Sequence, residues 1–107
     1  TFPLQAWTTQ PAERGYIDTH THEDSWLSGA YYVELPPAIR ADDSSHAGWI
    51  EFGRPFGKLP QWPESELRRV CPQEGTLLLF PSYLFHRTLP YSGSGERISI
   101  SFDLAAI

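Results

Sequence analysis

The sequence is poor in three features that would point to particular classes of protein: cysteine, long apolar runs and positive charge. Cys71 is the only cysteine among 107 residues, so a disulfide within the chain is impossible and a reducing compartment such as the cytoplasm is favoured. No apolar run approaches the roughly 20 residues that are needed to cross a bilayer. The net charge of −5 argues against nucleic acids and anionic membranes as the main partners.

The chain begins at Thr1 without a methionine and shows no secretory signal. Its hydrophobic fraction of 40% and aromatic fraction of 14% are typical of a folded globular protein. A length of 107 residues suits one domain with one modest core. We therefore expect a single domain over residues 1–107 that lacks an N-terminal extension.

Ten prolines and eight glycines are spread along the chain and argue against long helices. Short runs rich in β-branched and aromatic residues lie between these breaks, as in a β-sandwich or a closed β-barrel. The sequence therefore predicts an all-β domain of about eight short strands. The predicted strands are 4–8, 16–20, 27–35, 49–52, 67–71, 76–80, 84–88 and 97–104.

The last predicted strand alternates strictly between polar and apolar residues, which indicates a half-buried strand. If its apolar face fills the barrel, Arg97 and Ser99 face water. If its polar face lines a pocket, the apolar face points outward and needs a cover, which a missing N-terminal region would supply. The polar face carries Arg97, Ser99, Ser101 and Asp103, and the apolar face carries Ile98, Ile100, Phe102 and Leu104.

A glycine-rich segment, 92–95, separates this strand from the run that ends near His86. The pattern predicts a hairpin whose neighbouring strands carry His86 and Arg97. A metal beside His86 and an anionic ligand held by Arg97 would then form one site.

A second group of candidate ligands stands at His20, His22 and Asp24. Two residues two positions apart on a strand point the same way, so the two imidazoles can converge on one ion. With His86 from a distant strand they could bind iron, copper or zinc. Residues alone leave two ligand sets open: His20, His22 and His86, or His22, Asp24 and His86. A bare pair of histidines is more often a surface feature, and Arg97 alone would be a solvated residue of an edge strand.

The ordered set of motifs resembles the 2-oxoglutarate and Fe(II)-dependent oxygenases, and in particular a bacterial and phage family within that superfamily. The similarity runs over nearly the whole chain, and the last two blocks are specific. The blocks are His20-Thr21-His22, Leu27-Ser28-Gly29-Ala30-Tyr31-Tyr32, Phe80-Pro81-Ser82-Tyr83-Leu84-Phe85-His86 and the segment from Arg97 to Phe102.

The resemblance implies a double-stranded β-helix, which is a jelly-roll barrel with the metal inside its mouth. It also implies that His86 is the distal metal ligand and that Arg97 pairs with the far carboxylate of 2-oxoglutarate, with Ser99 adding a hydrogen bond. Tyr32 stands where related oxygenases place a tyrosine on the same carboxylate, while Tyr31 faces the other way. The chain departs from the wider superfamily at His22, where an aspartate or glutamate is usual.

We therefore expect an Fe(II)- and 2-oxoglutarate-dependent dioxygenase of the hydroxylase type, acting on an unknown second substrate. The expected metal ligands are His20, His22 and His86, with Asp24 as the alternative. Two other interpretations remain open: a cupin-like dioxygenase with three histidine ligands and no keto acid, and a jelly-roll binding module without a metal.

Overall fold

The computed structural model describes residues 4–9, 25–55, 63 and 67–105. Within these ranges every regular element is a strand, as the sequence predicts. The described residues contain no helix of the length and apolar character needed to span a membrane. The predicted strand 16–20 lies outside the described residues. The strands are β1 (Leu4–Thr9), β2 (Leu27–Glu34), β3 (Ile50–Phe52), β4 (Arg68–Val70), β5 (Leu77–Pro81), β6 (His86–Thr88) and β7 (Ile98–Leu104).

These strands form two antiparallel sheets between which the chain passes back and forth. One sheet has the order β1-β7-β2-β5 and the other has the order β4-β3-β6. The core lies between the sheets, because Ile50 and Phe52 of β3 pack against Phe80 of β5. The rings of Phe52 and Phe80 meet edge to face, with centroids 5.0 Å apart. Crossing between two facing sheets in this way is the connectivity of a jelly roll.

The predicted hairpin between the strands of His86 and Arg97 is wrong. β6 belongs to the three-stranded sheet and β7 to the four-stranded sheet, so the connection crosses the end of the barrel. Leu89 and Tyr91 are buried, and the amide of Leu89 donates to the carbonyl of Trp49 at 2.8 Å. Because these contacts hold the connection against the barrel, it cannot fold back as a free turn.

The polar face of β7 points into the barrel. Arg97, Ser99 and Asp103 are buried, whereas Ile100 on the other face is exposed. Inward polar groups are tolerated because they have partners, such as the Ser28 hydroxyl that donates to Asp103 Oδ1 at 2.7 Å. Of the two sequence-based alternatives for the direction of this strand, the one with the polar face inward is therefore correct.

The outer face of the four-stranded sheet is correspondingly apolar. Tyr31, Val33, Leu77, Leu79 and Ile100 are all exposed on its strands.

A glycine in the middle of this sheet, Gly29, allows the ring of Phe102 to approach the backbone of β2 closely. Gly29 is paired with Phe102 of β7 and Leu79 of β5. A Cβ atom at Gly29 would lie 2.8 Å from Cε2 of Phe102 and 2.9 Å from the carbonyl oxygen of Leu78. No side chain other than hydrogen fits there without moving the ring.

Candidate functional site

Arg97 lies immediately before β7 and is 5% exposed. Its Nη1 donates to the carbonyl of Gly48 at 2.7 Å. Its Cζ lies 5.9 Å from the ring centroids of both Tyr32 and Tyr91. Within the part of the chain that the structure describes, no carboxylate forms an ion pair with it.

The environment of Arg97 favours an anionic ligand. Burial lowers the pKa of the guanidinium, and the two nearby tyrosines oppose that shift. An arginine nevertheless stays protonated in proteins, so a full positive charge is buried here. A buried charge without a counter-ion is costly, and a carboxylate that matches the guanidinium fork would relieve that cost.

The loop before β3 is shaped to present its carbonyl to Arg97. Gly48 has a φ of 76°, a left-handed conformation in which glycine is favoured. A Cβ atom there would also lie 2.6 Å from Cδ1 of Ile39. The Gly48 amide donates to the carbonyl of Leu89 at 3.2 Å, which fixes the loop against the connection between β6 and β7.

Tyr32 lies near this guanidinium on the inner face of the sheet, and Ser99 lies across from Tyr32. They are direct cross-strand partners in β2 and β7, and both are buried. Burial raises the pKa of Tyr32, although Arg97 acts in the opposite direction. The phenol is therefore neutral near pH 7 and can donate a hydrogen bond to an anion. Tyr31 points to the exposed outer face, as its position one residue away requires.

His86 opens β6 with its imidazole buried between aromatic rings. The ring centroids of Phe80 and Phe52 lie 4.7 Å and 6.2 Å from that of His86. Nδ1 lies 3.0 Å from the carbonyl oxygen of Leu84. Because a carbonyl only accepts hydrogen bonds, Nδ1–H is the donor here, and in the neutral ring the lone pair is on Nε2. This tautomer is the one by which a histidine binds a metal through Nε2.

A hydrogen-bonded group of polar side chains near His86 connects β2, β7 and the residue that follows β5. The hydroxyls of Ser28 and Ser82 are 2.8 Å apart, and Ser28 also donates to Asp103. Ser28 is the cross-strand partner of Phe80, whose ring contacts His86. Asp103 and Arg97 are six positions apart, about 20 Å along an extended strand, so Asp103 is not the counter-ion of Arg97.

The structure thus brings together Arg97, Ser99 and Tyr32, and it places His86 on the opposing sheet. His20, His22 and Asp24 lie outside the described residues. Among the residues that are described, no three histidine, cysteine, aspartate or glutamate side chains form a group that could hold a metal.

Sequence reasoning missed several residues of this site. Tyr91 and Gly48 stand in irregular segments where no periodicity applies. The position of Asp103 could be predicted, because the alternation of the last strand places it on the same face as Arg97. Its partner Ser28, and Ser82 to which Ser28 is also bonded, can be identified only once the strand register is known.

Solved structures resemble this arrangement over nearly the whole chain. A prolyl-4-hydroxylase from Pseudomonas putida matches with a TM-score of 0.67 and 16% identity, over 97% of this chain and 53% of that chain. An oxidoreductase of the 2OG-Fe(II) oxygenase family from Burkholderia pseudomallei matches with a TM-score of 0.69 and 14% identity, over 98% and 45%. The chain therefore spans about half the length of these proteins. At such low identities the likeness shows the fold alone, which is the double-stranded β-helix of this class of proteins.

The family follows from the sequence itself. Residues 5–103 match the family described as "Putative 2OG-Fe(II) oxygenase". Since the match covers most of the chain, the protein belongs to that family. No match is found among curated proteins.

Proposed function

We propose that the protein is an Fe(II)- and 2-oxoglutarate-dependent dioxygenase that hydroxylates a second substrate. The observation that carries this proposal is the buried guanidinium of Arg97, which has no carboxylate partner among the described residues. A direct dioxygenase of the cupin type has no need of a buried cation on the strand opposite its histidine. A dicarboxylate co-substrate does need one.

Of the proposed ligands the structure describes His86, whose chemistry suits the metal that the family implies. His86 is buried, and its Nδ1–H is held by a backbone carbonyl, so the lone pair of Nε2 is directed by the fold. We propose His20, His22 and His86 as the ligands, with Asp24 as the alternative to His20. Bound Fe(II) would supply the activation of dioxygen that couples oxidative decarboxylation of the keto acid to hydroxylation.

The chain's own residues position the co-substrate and keep the site dry. Arg97 would pair with the distal carboxylate of 2-oxoglutarate, while Tyr32 and Ser99 would donate hydrogen bonds to it. Phe52 and Phe80 cover the imidazole of His86 and limit the access of water. The likeness to a prolyl-4-hydroxylase is compatible with hydroxylation as the outcome, and the second substrate stays open.

Substitution of Arg97 tests the proposal. Truncating one partner of a buried charge pair costs about 2–5 kcal/mol, so Arg97→Ala should weaken 2-oxoglutarate binding roughly 30-fold or more. Arg97→Lys should recover only part of the affinity, because an ammonium lacks the planar fork. The measurement is an anaerobic titration of the iron-loaded protein with 2-oxoglutarate, followed by the metal-to-ligand charge-transfer band.

Arg40→Ala is the control, since Arg40 is a well-exposed arginine. Fe(II) affinity should be unchanged in all three variants. Equal 2-oxoglutarate affinities for the wild type and Arg97→Ala would remove the main support for the proposal and favour the cupin-like alternative. Absence of any site-bound iron would favour a binding module.

A further inference from the structure

One carboxylate on the outer side of the three-stranded sheet is completely enclosed by arginines. Glu51 of β3 is 0% exposed. Its Oε1 accepts hydrogen bonds from Nε of Arg87 at 2.7 Å and from Nε of Arg54 at 2.8 Å. Its Oε2 accepts one from Nε of Arg69 at 2.9 Å. The proposed reaction uses none of these four residues.

The cluster is built on the strand register around His86. Glu51 is paired with Arg87 of β6 on one side and with Arg69 of β4 on the other. Its neighbour Phe52 is paired with His86 and points into the core. Because side chains alternate along a strand, Glu51 and Arg87 lie on one face while Phe52 and His86 lie on the other.

β6 is only three residues long, so a few side-chain contacts determine its register against β3. His86 and Thr88 are buried, and Arg87 between them is directed outward to Glu51. A shift by one residue would turn Arg87 inward and His86 outward. The bond between Arg87 and Glu51 opposes that shift, and Arg54 and Arg69 keep the acceptor in place.

We infer that Glu51 and Arg87 are positioning residues for His86 as a metal ligand. The inference rests on the proposed function, because it takes His86 to bind Fe(II). Burial alone would raise the pKa of Glu51, but the hydrogen bonds from Arg87, Arg54 and Arg69 outweigh it and hold the pKa below its usual range. The carboxylate is therefore ionised near pH 7 and makes strong, charge-assisted bonds.

The chain offers a matched pair of substitutions to test this inference. Arg87 and Arg69 bind the same carboxylate from the two flanking strands, and their side chains are 29% and 28% exposed. Only Arg87 lies on the strand of His86. Arg87→Met removes the contact that opposes a one-residue slip of β6, so it should weaken Fe(II) binding severalfold. Arg69→Met should weaken it by much less, although both variants lose one ion pair to Glu51.

Fe(II) affinity is measured anaerobically on each folded variant, with thermal unfolding of the metal-free protein as the measure of stability. Arg87→Lys should recover part of the affinity, since an ammonium still pairs with Glu51. A second readout needs no metal: the ring-nitrogen chemical shifts of His86 report its tautomer, which should become mixed in Arg87→Met and stay fixed in Arg69→Met. If Arg87→Met does not fold, Arg87→Lys is compared with Arg69→Lys in the same way.

Equal losses of Fe(II) affinity in the two arginine variants, in proportion to their losses of stability, would overturn the inference and leave Glu51 a purely structural residue. Failure of the proposed function looks different. In that case the wild type binds no Fe(II), or His86→Ala binds it as well as the wild type does.

Discussion

Two adjacent tyrosines on β2 occupy one buried and one exposed position. Tyr32 is enclosed beside Arg97, whereas Tyr31 lies on the outer face of the sheet. The two residues have the same chemistry and lie on the same strand, and they differ only in the direction of the side chain. That difference makes Tyr31 a matched control for Tyr32.

Tyr32→Phe should weaken 2-oxoglutarate binding about tenfold, because it removes one hydrogen bond to a charged group, worth about 1.5–3 kcal/mol. Tyr31→Phe should leave the affinity unchanged within about twofold. Titration of the iron-loaded variants with 2-oxoglutarate gives both values. A similar effect of the two substitutions would mean that the Tyr32 hydroxyl does not reach the co-substrate.

The direction of a side chain could be predicted where the residue lies on a strand. Arg97, Ser99 and Tyr32 were assigned from period-2 alternation and from family motifs, and they meet at one end of the barrel. Tyr91 and the carbonyl of Gly48 were not, because both belong to segments whose path depends on contacts distant in sequence. Local pattern carries no information about such contacts.

At the scale of elements, the packing of β2 against β7 depends on a missing side chain. Gly29→Ala would push a methyl group into the ring of Phe102 and against the carbonyl of Leu78. Overpacking of this kind costs about 1–3 kcal/mol of unfolding free energy. We expect Phe102→Leu to remove most of that cost, because the ring is the obstacle.

A double-mutant cycle measured by urea unfolding checks this expectation. Gly29→Ala combined with Phe102→Leu should be less destabilised than the sum of the single variants. Strict additivity would show that backbone entropy or the Leu78 carbonyl, rather than the ring, sets the cost.

Strand positions were predicted well, while their pairing was not. All seven described strands coincide with predicted runs, since proline and glycine mark the breaks between them. The connection between β6 and β7 was mistaken for a hairpin, because a glycine-rich segment between two strands reads the same whether it turns back or crosses to a facing sheet. The two paths are distinguished by the sheet to which each strand belongs and by the burial of Leu89 and Tyr91.

At the scale of the whole molecule, the Glu51 cluster makes stability depend on pH. The folded-state pKa of Glu51 lies below its ordinary value of 4.5. As the pH falls, Glu51 is therefore protonated in the unfolded chain before it is protonated in the folded chain. The contribution of Glu51 is therefore fully present above pH 4.5 and is lost as the pH falls below that value.

The free energy of unfolding of Glu51→Gln should therefore be lower than that of the wild type at about pH 7, and the difference should shrink at about pH 3. Urea unfolding at both pH values measures it. Asp43, whose pKa is lowered by hydrogen bonds from Ser45, is the same in both proteins and cancels in the difference. An unchanged difference at low pH would mean that Glu51 titrates alike in the folded and unfolded chains.

The inward polar face of β7 has a consequence for how the sequence can drift over evolution. In most half-buried strands, selection keeps the inward positions apolar and tolerates changes on the outward ones. Here Arg97 donates to the carbonyl of Gly48 and Asp103 accepts from Ser28, so a drift toward apolar residues at these two inward positions removes a partner from a buried group. Descendants of this chain should accordingly vary most at the outward apolar positions of β7. A sequence profile based on hydrophobicity alone would wrongly assign those outward positions to the core.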